Sequence, residues 1–315
     1  PVTMHLYSDV LSSRTRMKRL NAQAELLLQR RAEPFAVLAA ALGAEYPSSL
    51  IDLAWKMLLK CHAHDSISGS GVDDIEEDMI YRLRQVVNIS NGLLKRALGA
   101  IQLRIDNGSF PPDTVLLTVF NPSPQPRTEV VSAAVDLPYT GPKGEFAVID
   151  VTTGGRVPVQ GVDRKPFWAV VNHPGDATAM MKSQRFQIHF EARDIPALGY
   201  ATFRIDRSAM FDRGSLITAA NTLENEALRV TIQTDGTLSL LHKETGVTYD
   251  DLNYFRDNGE AGHAWMHHNP ARDRVIDSRG FPVTIALEED GPLLARYRVD
   301  CRMTIPAHLE ENGGD

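Results

Sequence analysis

The chain of 315 residues, 43% hydrophobic and 23% charged, has the composition of a globular protein with enough apolar material for two or three domains. Its 40 acidic side chains outnumber 33 basic ones and leave a net charge of -7, which excludes the basic footprint of a nucleic-acid binder and a polybasic membrane signal. Two cysteines, Cys61 and Cys301, exclude a disulfide framework and a four-cysteine zinc site, and they suit a reducing compartment.

Pro1 to Val10 carry no basic stretch followed by an apolar core, and nowhere is there an apolar run of roughly 18 residues, so neither export nor a membrane span is read. A cytoplasmic location is expected. The short opening segment and the closing run Glu311-Asn312-Gly313-Gly314-Asp315 both read as cut ends, so the chain is expected to be a piece of a longer protein.

Apolar residues recur three or four apart over the first hundred residues, which predicts three long helices. The first is expected from a cap at Ser12 or Ser13 to near Gly43, with Met17, Leu20, Ala24, Leu27 and Leu38 on one face and a kink at Pro34. The second opens at Pro47-Ser48-Ser49 and runs through Ile51, Ala54, Trp55, Leu58 and Leu59 towards His62. The third follows Ser68-Gly69-Ser70-Gly71. Ser70 and Asp73 have capping-box spacing, Asp74, Glu76 and Glu77 complement the helix dipole, and Ile75 to Ile101 keep the helical period. Three antiparallel helices on short loops make a bundle.

From Phe110-Pro111-Pro112 onward, β-branched runs separated by Pro, Gly and Asn predict an all-β half. One β unit covers about Thr114 to Asp206; a second opens near Leu223, where Asp235-Gly236 between Leu228 to Ile232 and Leu238 to Leu240 signals a hairpin. The expected fold is α+β and multidomain: a three-helix bundle over residues 1–108, a small β-sandwich over 109–210, and the truncated start of a larger β-sandwich over 211–315.

Chemistry concentrates in Cys61-His62-Ala63-His64-Asp65-Ser66-Ile67-Ser68-Gly69-Ser70-Gly71, between the second and third helices. Two imidazoles, a carboxylate and three hydroxyls beside an apolar helix cost desolvation unless something binds them, which suggests a metal or a polyhydroxyl ligand. The spacing supplies at most two of the three or four ligands a metal needs. From composition alone the serines read as turn and cap residues and the histidines as satisfied by hydrogen bonds.

The segment His64-Asp65-Ser66-Ile67-Ser68-Gly69-Ser70 resembles the His-Asp segment of the glycoside hydrolase family 38 α-mannosidases, which also lies between long helices of a central bundle. Val10-Leu11-Ser12-Ser13-Arg14 with Lys18, Asn21, Glu25 and Ala32-Glu33-Pro34 resembles the first helix of that bundle. Thr118 to Pro122 with Pro126-Arg127-Thr128 resembles its first strand and turn, and Asp235 to Leu238, Lys243 to Gly246 and Leu252 to Asp257 resemble its large β domain in the bacterial branch.

The resemblance implies a retaining, zinc-dependent α-mannosidase. In that family one zinc ion is held by a His-x-Asp pair and an Asp of an N-terminal α/β domain, together with the histidine that matches His64. Asp65 matches a carboxylate that binds sugar hydroxyls. The zinc-bound aspartate attacks the anomeric carbon, giving a covalent glycosyl-enzyme and retention of configuration. No segment of this chain matches the nucleophile or the His-x-Asp pair, so the chain alone is expected to be inactive, with an α-mannoside as substrate and the missing α/β domain as partner of the whole protein. Family members of this type often associate, so a homo-oligomer is admitted. Gly262 to Pro270 departs from the family's Gly-Asp-aromatic run, and Trp265 is assigned as a sugar-contacting aromatic.

Arg14 is expected to face the missing domain, Trp55 and Trp168 to be core or interface aromatics, and His263, His267 and His268 to be a solvated loop. The sequon Asn88-Ile89-Ser90 lies inside a predicted helix and reads as coincidence. The rival reading is a non-catalytic carbohydrate-binding or scaffolding protein, with the β half as binding module.

Overall fold

The computed structural model describes residues 8–139, 144–172, 178–263 and 265–309; the readings on Pro1 to Tyr7, Ala264 and Glu311 to Asp315 lie outside them. Packing divides the chain into two compact units, the first comprising the chain up to Phe110 with Asn258–Val275 and the residues from Pro306, the second Pro111–Asp257 with Ile276–Ile305. The expected α+β order is what the structure has, a helical bundle followed by antiparallel sheets.

In the first unit a 3-10 turn at Ser8–Leu11 leads into helix α1 (Thr15–Leu27), a π turn (Leu28–Ala32) and helix α2 (Glu33–Ala41). Helix α3 (Ser48–Lys60), one turn of helix α4 (His64–Ser68) and the long helix α5 (Asp73–Gln102) follow. Helix α5 buries Met79, Leu83, Val86, Ser90, Leu93, Ala97 and Ile101 at three- and four-residue steps; Met79, Leu83 and Val86 meet Met17, Ala24 and Leu28 from the first helical run and Ala54 and Leu58 from α3, and Leu93 meets Ala32, Ala36 and Ile51. Ser90, the last residue of the sequon, is fully buried within α5, while Asn88 is exposed. Leu59, expected on the α3 stripe, is instead 57% exposed.

Three helix boundaries differ from expectation. Arg14, not Ser12 or Ser13, precedes α1, in a left-handed conformation (φ 50°), and the Ser12 hydroxyl donates to Asp9 O instead. The break in the first helix falls one turn before Pro34: a proline has no N–H to give and its ring crowds the carbonyl four residues back, so the widened π turn absorbs the misfit and Pro34 sits in the first turn of α2. The capping box at Ser70 does not form, because Val72 precedes α5 and the Ser70 hydroxyl is engaged by Asp65 O; Asp73, Asp74 and Glu76 do occupy the first turn.

In the second unit, strands β1 (Leu116–Phe120), β2 (Arg127–Pro138), β3 (Ala147–Asp150), β4 (Arg156–Val157), β5 (Val159–Asn172), β6 (Thr178–Ile195) and β7 (Tyr200–Asp206) form two antiparallel sheets, ordered β1-β7-β3-β4 and β2-β6-β5. Strand β6 shows why they pack: Phe186, Ile188, Phe190 and Ala192 alternate inward, meeting Phe203 and Ile205 of β7 and Val148 of β3. Asn121 is buried after β1 and donates to the carbonyls of Gln125, Ile195 and Pro196 at 2.8 to 3.1 Å.

The same unit continues through β8 (Ile217–Ala219), β9 (Thr222–Glu224), β10 (Leu228–Ile232), β11 (Leu238–His242) and β12 (Val247–Leu252), which form one antiparallel sheet in reverse chain order. The expected β10–β11 hairpin pairs Leu228 with His242 and Ile232 with Leu238. Its turn is set by Gly236 at φ +85° and by Asp235 Oδ1, which accepts from Thr237 N at 3.0 Å and Oγ1 at 2.8 Å. Two short pairs complete the unit, β13 (Arg256–Asp257) with β14 (Ile276–Asp277), and β15 (Val283–Glu289) with β16 (Arg296–Cys301). Gln160 of β5 is 3% exposed; its amide donates to Glu289 Oε1 and Leu294 O and accepts from the N–H groups of Leu293 and Leu294, all at 3.0 Å.

Candidate functional site

The connection from α3 to α5 begins with a change of roles from Cys61 to His64. Cys61 closes α3 with a buried thiol that donates to Met57 O at 3.4 Å, and burial raises its pKa. His62 turns back into the bundle, where Nε2 lies 2.9 Å from Asn21 Oδ1 and 3.1 Å from Glu25 Oε1. Ala63, extended at ψ 135°, swings the chain outward, and His64 opens α4.

His64 is 95% exposed along its side chain, and Asp65 is 75% exposed with Oδ1 3.5 Å from His64 Nε2. An imidazole beside a carboxylate, both facing water, leaves nitrogen and oxygen lone pairs free for an outside ligand. Two of the segment's three hydroxyls are not free in this way. Ser68 Oγ and Ser70 Oγ both donate to Asp65 O, at 3.0 and 3.2 Å, and lie 3.0 Å from each other. The turn-residue reading therefore holds for these two serines and the satisfied-histidine reading for His62, while His64 and Asp65 remain outward.

Two cations at the start of α1, Arg14 just before it and Lys18 in its first turn, close over the far end of α4. Arg14 Nε donates to Gly69 O at 3.0 Å and Nη2 to Gly71 O at 2.7 Å and Asp73 Oδ1 at 2.9 Å, while Nη1 pairs with Glu76. Its hydrogen bonds to Asp73 and Glu76 raise its pKa further. Lys18 Nζ donates to Ser13 O at 2.5 Å and Ser68 O at 2.9 Å; burial, then repulsion from Arg14, lowers its pKa. The expectation that Arg14 faces another domain is thus corrected: a planar guanidinium with five donors finds four acceptors at the foot of its own loop. Trp55 is half-buried and donates to Glu33 Oε2 at 2.9 Å, as a core aromatic, whereas Trp168 is 55% exposed on β5.

Trp265 lies in the excursion Asn258–Val275, which leaves β13 and returns into β14 and packs within the first unit. It is 45% exposed and its ring meets that of His263 edge-on at 5.7 Å. His267 ties this loop down: Nδ1 pairs with Glu260, Nε2 lies 2.7 Å from Asn269 Oδ1, and its backbone N–H donates to Asp9 Oδ2 at 2.9 Å. Among the described residues no group of three or more His, Cys, Asp or Glu side chains is arranged to hold a metal, these histidines included.

Glu260, then Asn269, raises the pKa of His267 above 6.5, and His267 in turn lowers that of Glu260 below 4.5. The histidine's contribution is complete below about 6.5 and is lost as pH rises through its higher folded value; the glutamate's is complete above about 4.5 and is lost as pH falls through its lower one. The loop is held best in the window between. An NMR titration is expected to place the His267 imidazole above 6.5, with Glu260→Gln returning it towards that value; an identical midpoint in the variant would refute the pairing.

Residues 5–101 match the family model described as the alpha mannosidase middle domain. A crystal structure of an alpha-mannosidase from Enterococcus faecalis superposes with a TM-score of 0.85 at 26% identity, over 97% of this chain and 36% of that one. A protein of glycosyl hydrolase family 38 from the same organism gives 0.82 at 27% identity, over 94% of this chain and 37% of that one. The chain is related to the family 38 α-mannosidases. A Halalkalibacterium halodurans protein assigned by name as a mannosylglycerate hydrolase is 24% identical over 339 aligned positions, 96% of this chain.

The chain spans about a third of the length of these relatives, 36% of the Halalkalibacterium protein. Within the family 38 frame the bundle carrying His64 and Asp65 is the part that the middle-domain model covers. What sequence reading missed there is the pair of supports, Arg14 and Lys18, whose partners at the end of α4 lie about fifty residues or more further along the chain. One local signal was present, the glycine at 69 directly after Ser68.

Proposed function

We propose that this chain is the middle and following β part of a retaining, zinc-dependent α-mannosidase, with the nucleophile on an N-terminal α/β domain outside the chain. The observation that carries the reading is the outward pair His64 and Asp65 at the head of α4, inside the segment matched by the middle-domain model. The donor set fits one corner of a zinc site: a neutral imidazole is a common zinc ligand, and His64 is 95% exposed and available. When bound, zinc supplies Lewis-acid attraction for sugar hydroxyls. His64 would hold the ion from this side, Asp65 would accept hydrogen bonds from the sugar, and Trp265 would offer an apolar face to the ring. In this reading residues 1–108 are the central domain, 109–210 a small β-sandwich and 211–315 the opening of a larger one.

The substrate class is an α-mannoside, a mannosyl compound such as mannosylglycerate included, in line with the names of the relatives. Cys61 and Cys301 are free thiols, which supports a reducing, cytoplasmic setting. No helix among the described residues is long and apolar enough to cross a membrane. The test is hydrolysis of aryl α-mannoside and mannosylglycerate by the full-length protein before and after chelation. Loss of turnover on chelation and its return with zinc are expected; turnover indifferent to chelation would refute the metal, and none on any α-mannoside would refute the substrate class.

A further inference from the structure

We propose that Arg14 and Lys18 are positioning residues for His64, fixing the direction of its imidazole by clamping the opposite end of α4; this rests on the reading of His64 as a metal ligand. Helix α4 is only five residues long, too short to hold itself in water, so its orientation is set by its contacts, Ile67 packing against the bundle core and the groups that grip its C-terminal end. At the His64 end the ring is 95% exposed, with the Asp65 carboxylate 3.5 Å away. At the other end Lys18 donates to Ser68 O and Arg14 to Gly69 O and Gly71 O, and Arg14 also reaches Asp73 and Glu76 at the start of α5. One guanidinium therefore joins α1, the end of α4 and the start of α5.

The fit at this point is close. Gly69 is left-handed at φ +84°, and a Cβ there would lie 3.3 Å from Arg14 Cγ and Cδ and from Lys18 Nζ, so the cations rest on bare backbone. Arg14 itself holds φ 50°, a conformation that non-glycine residues adopt only when their surroundings impose it. A strained residue spanning three elements behind an exposed ligand is the arrangement of a support that aims the ligand, where about 1 Å of misplacement costs on the order of 100-fold in rate.

The experiment compares full-length wild type, Arg14→Ala, Arg14→Lys, Lys18→Met and His64→Ala, with Glu33→Ala as a control that strips Trp55 of its acceptor elsewhere in the bundle. Three quantities are read: amide hydrogen exchange over residues 64–71 in the metal-free protein, zinc retained against a chelator, and kcat and KM on an aryl α-mannoside. The Arg14 and Lys18 variants are expected to exchange faster over residues 64–71, to hold zinc about 10- to 100-fold more weakly, and to lose kcat by more than KM rises. Methylguanidinium should restore part of the Arg14→Ala loss. Glu33→Ala should lower the melting temperature while leaving all three readouts unchanged. Loss of zinc in His64→Ala with wild-type exchange and retention in Arg14→Ala overturns the clamp alone. Retention of zinc and turnover in His64→Ala overturns the underlying reading and the clamp with it.

Discussion

Full-length protein carrying His64→Ala is expected to lose bound zinc and turnover together. A zinc site has four ligands in a tetrahedron, and the proposed site draws one of them from this chain. Removing a partner that merely stands behind a ligand already costs about 10- to 100-fold in affinity or activity, so removing the ligand itself should exceed that range. The fold should not notice, because the side chain is 95% exposed. The two readouts are metal content by elemental analysis and kcat/KM, with the melting temperature of the metal-free proteins as the check on folding. A variant with wild-type zinc content would remove His64 from the site, whatever its turnover.

Phe203→Ala is expected to destabilise the β unit by about 3–5 kcal/mol, the range for emptying a fully buried aromatic site. Phe203 is 0% exposed in β7, its ring 5.1 Å from that of Phe190 at 69°, and the surrounding Val148, Ile188 and Ile205 are branched residues anchored in strands on both sheets. Collapse into the void would require two sheets to approach each other against their own ladders, so most of the cavity should persist. Urea unfolding followed by the tryptophan and far-ultraviolet signals of the chain gives the number. A loss below about 1 kcal/mol would mean that the sandwich relaxes around the gap.

The bundle was legible in the sequence because its pattern is local. The three- and four-residue steps of α5 name its buried face, and Gly43, left-handed at φ +90°, ends the first helical run where it was expected. The β10–β11 hairpin was legible for the same reason, since Asp235-Gly236 carries its own turn chemistry. The π turn was not, because periodicity shows that Pro34 disturbs a helix but not which turn yields. The start of α5 misled because Ser70 has two uses for its hydroxyl, a cap or a bond to Asp65 O, and spacing alone cannot choose between them.

In the candidate site, His64 and Asp65 entered through likeness to a family, and composition by itself favoured a satisfied histidine. That bland alternative proved right two residues away, at His62, whose partners Asn21 and Glu25 belong to α1. Arg14 was misjudged for a physical reason: a guanidinium near a helix start can reach outward or inward, and the inward choice depends on carbonyls at Gly69 and Gly71 that only the folded loop presents.

The saturated amide of Gln160 has a thermodynamic consequence for the β unit. Its four bonds join β5 to the turn before β16 and to Glu289 of β15, so peeling the β15–β16 pair away would leave buried donors and acceptors stranded, each at about 1–3 kcal/mol. Partial opening is thereby made dearer than local packing alone would make it, and the sandwich and the distal hairpin are bound to melt as one cooperative body.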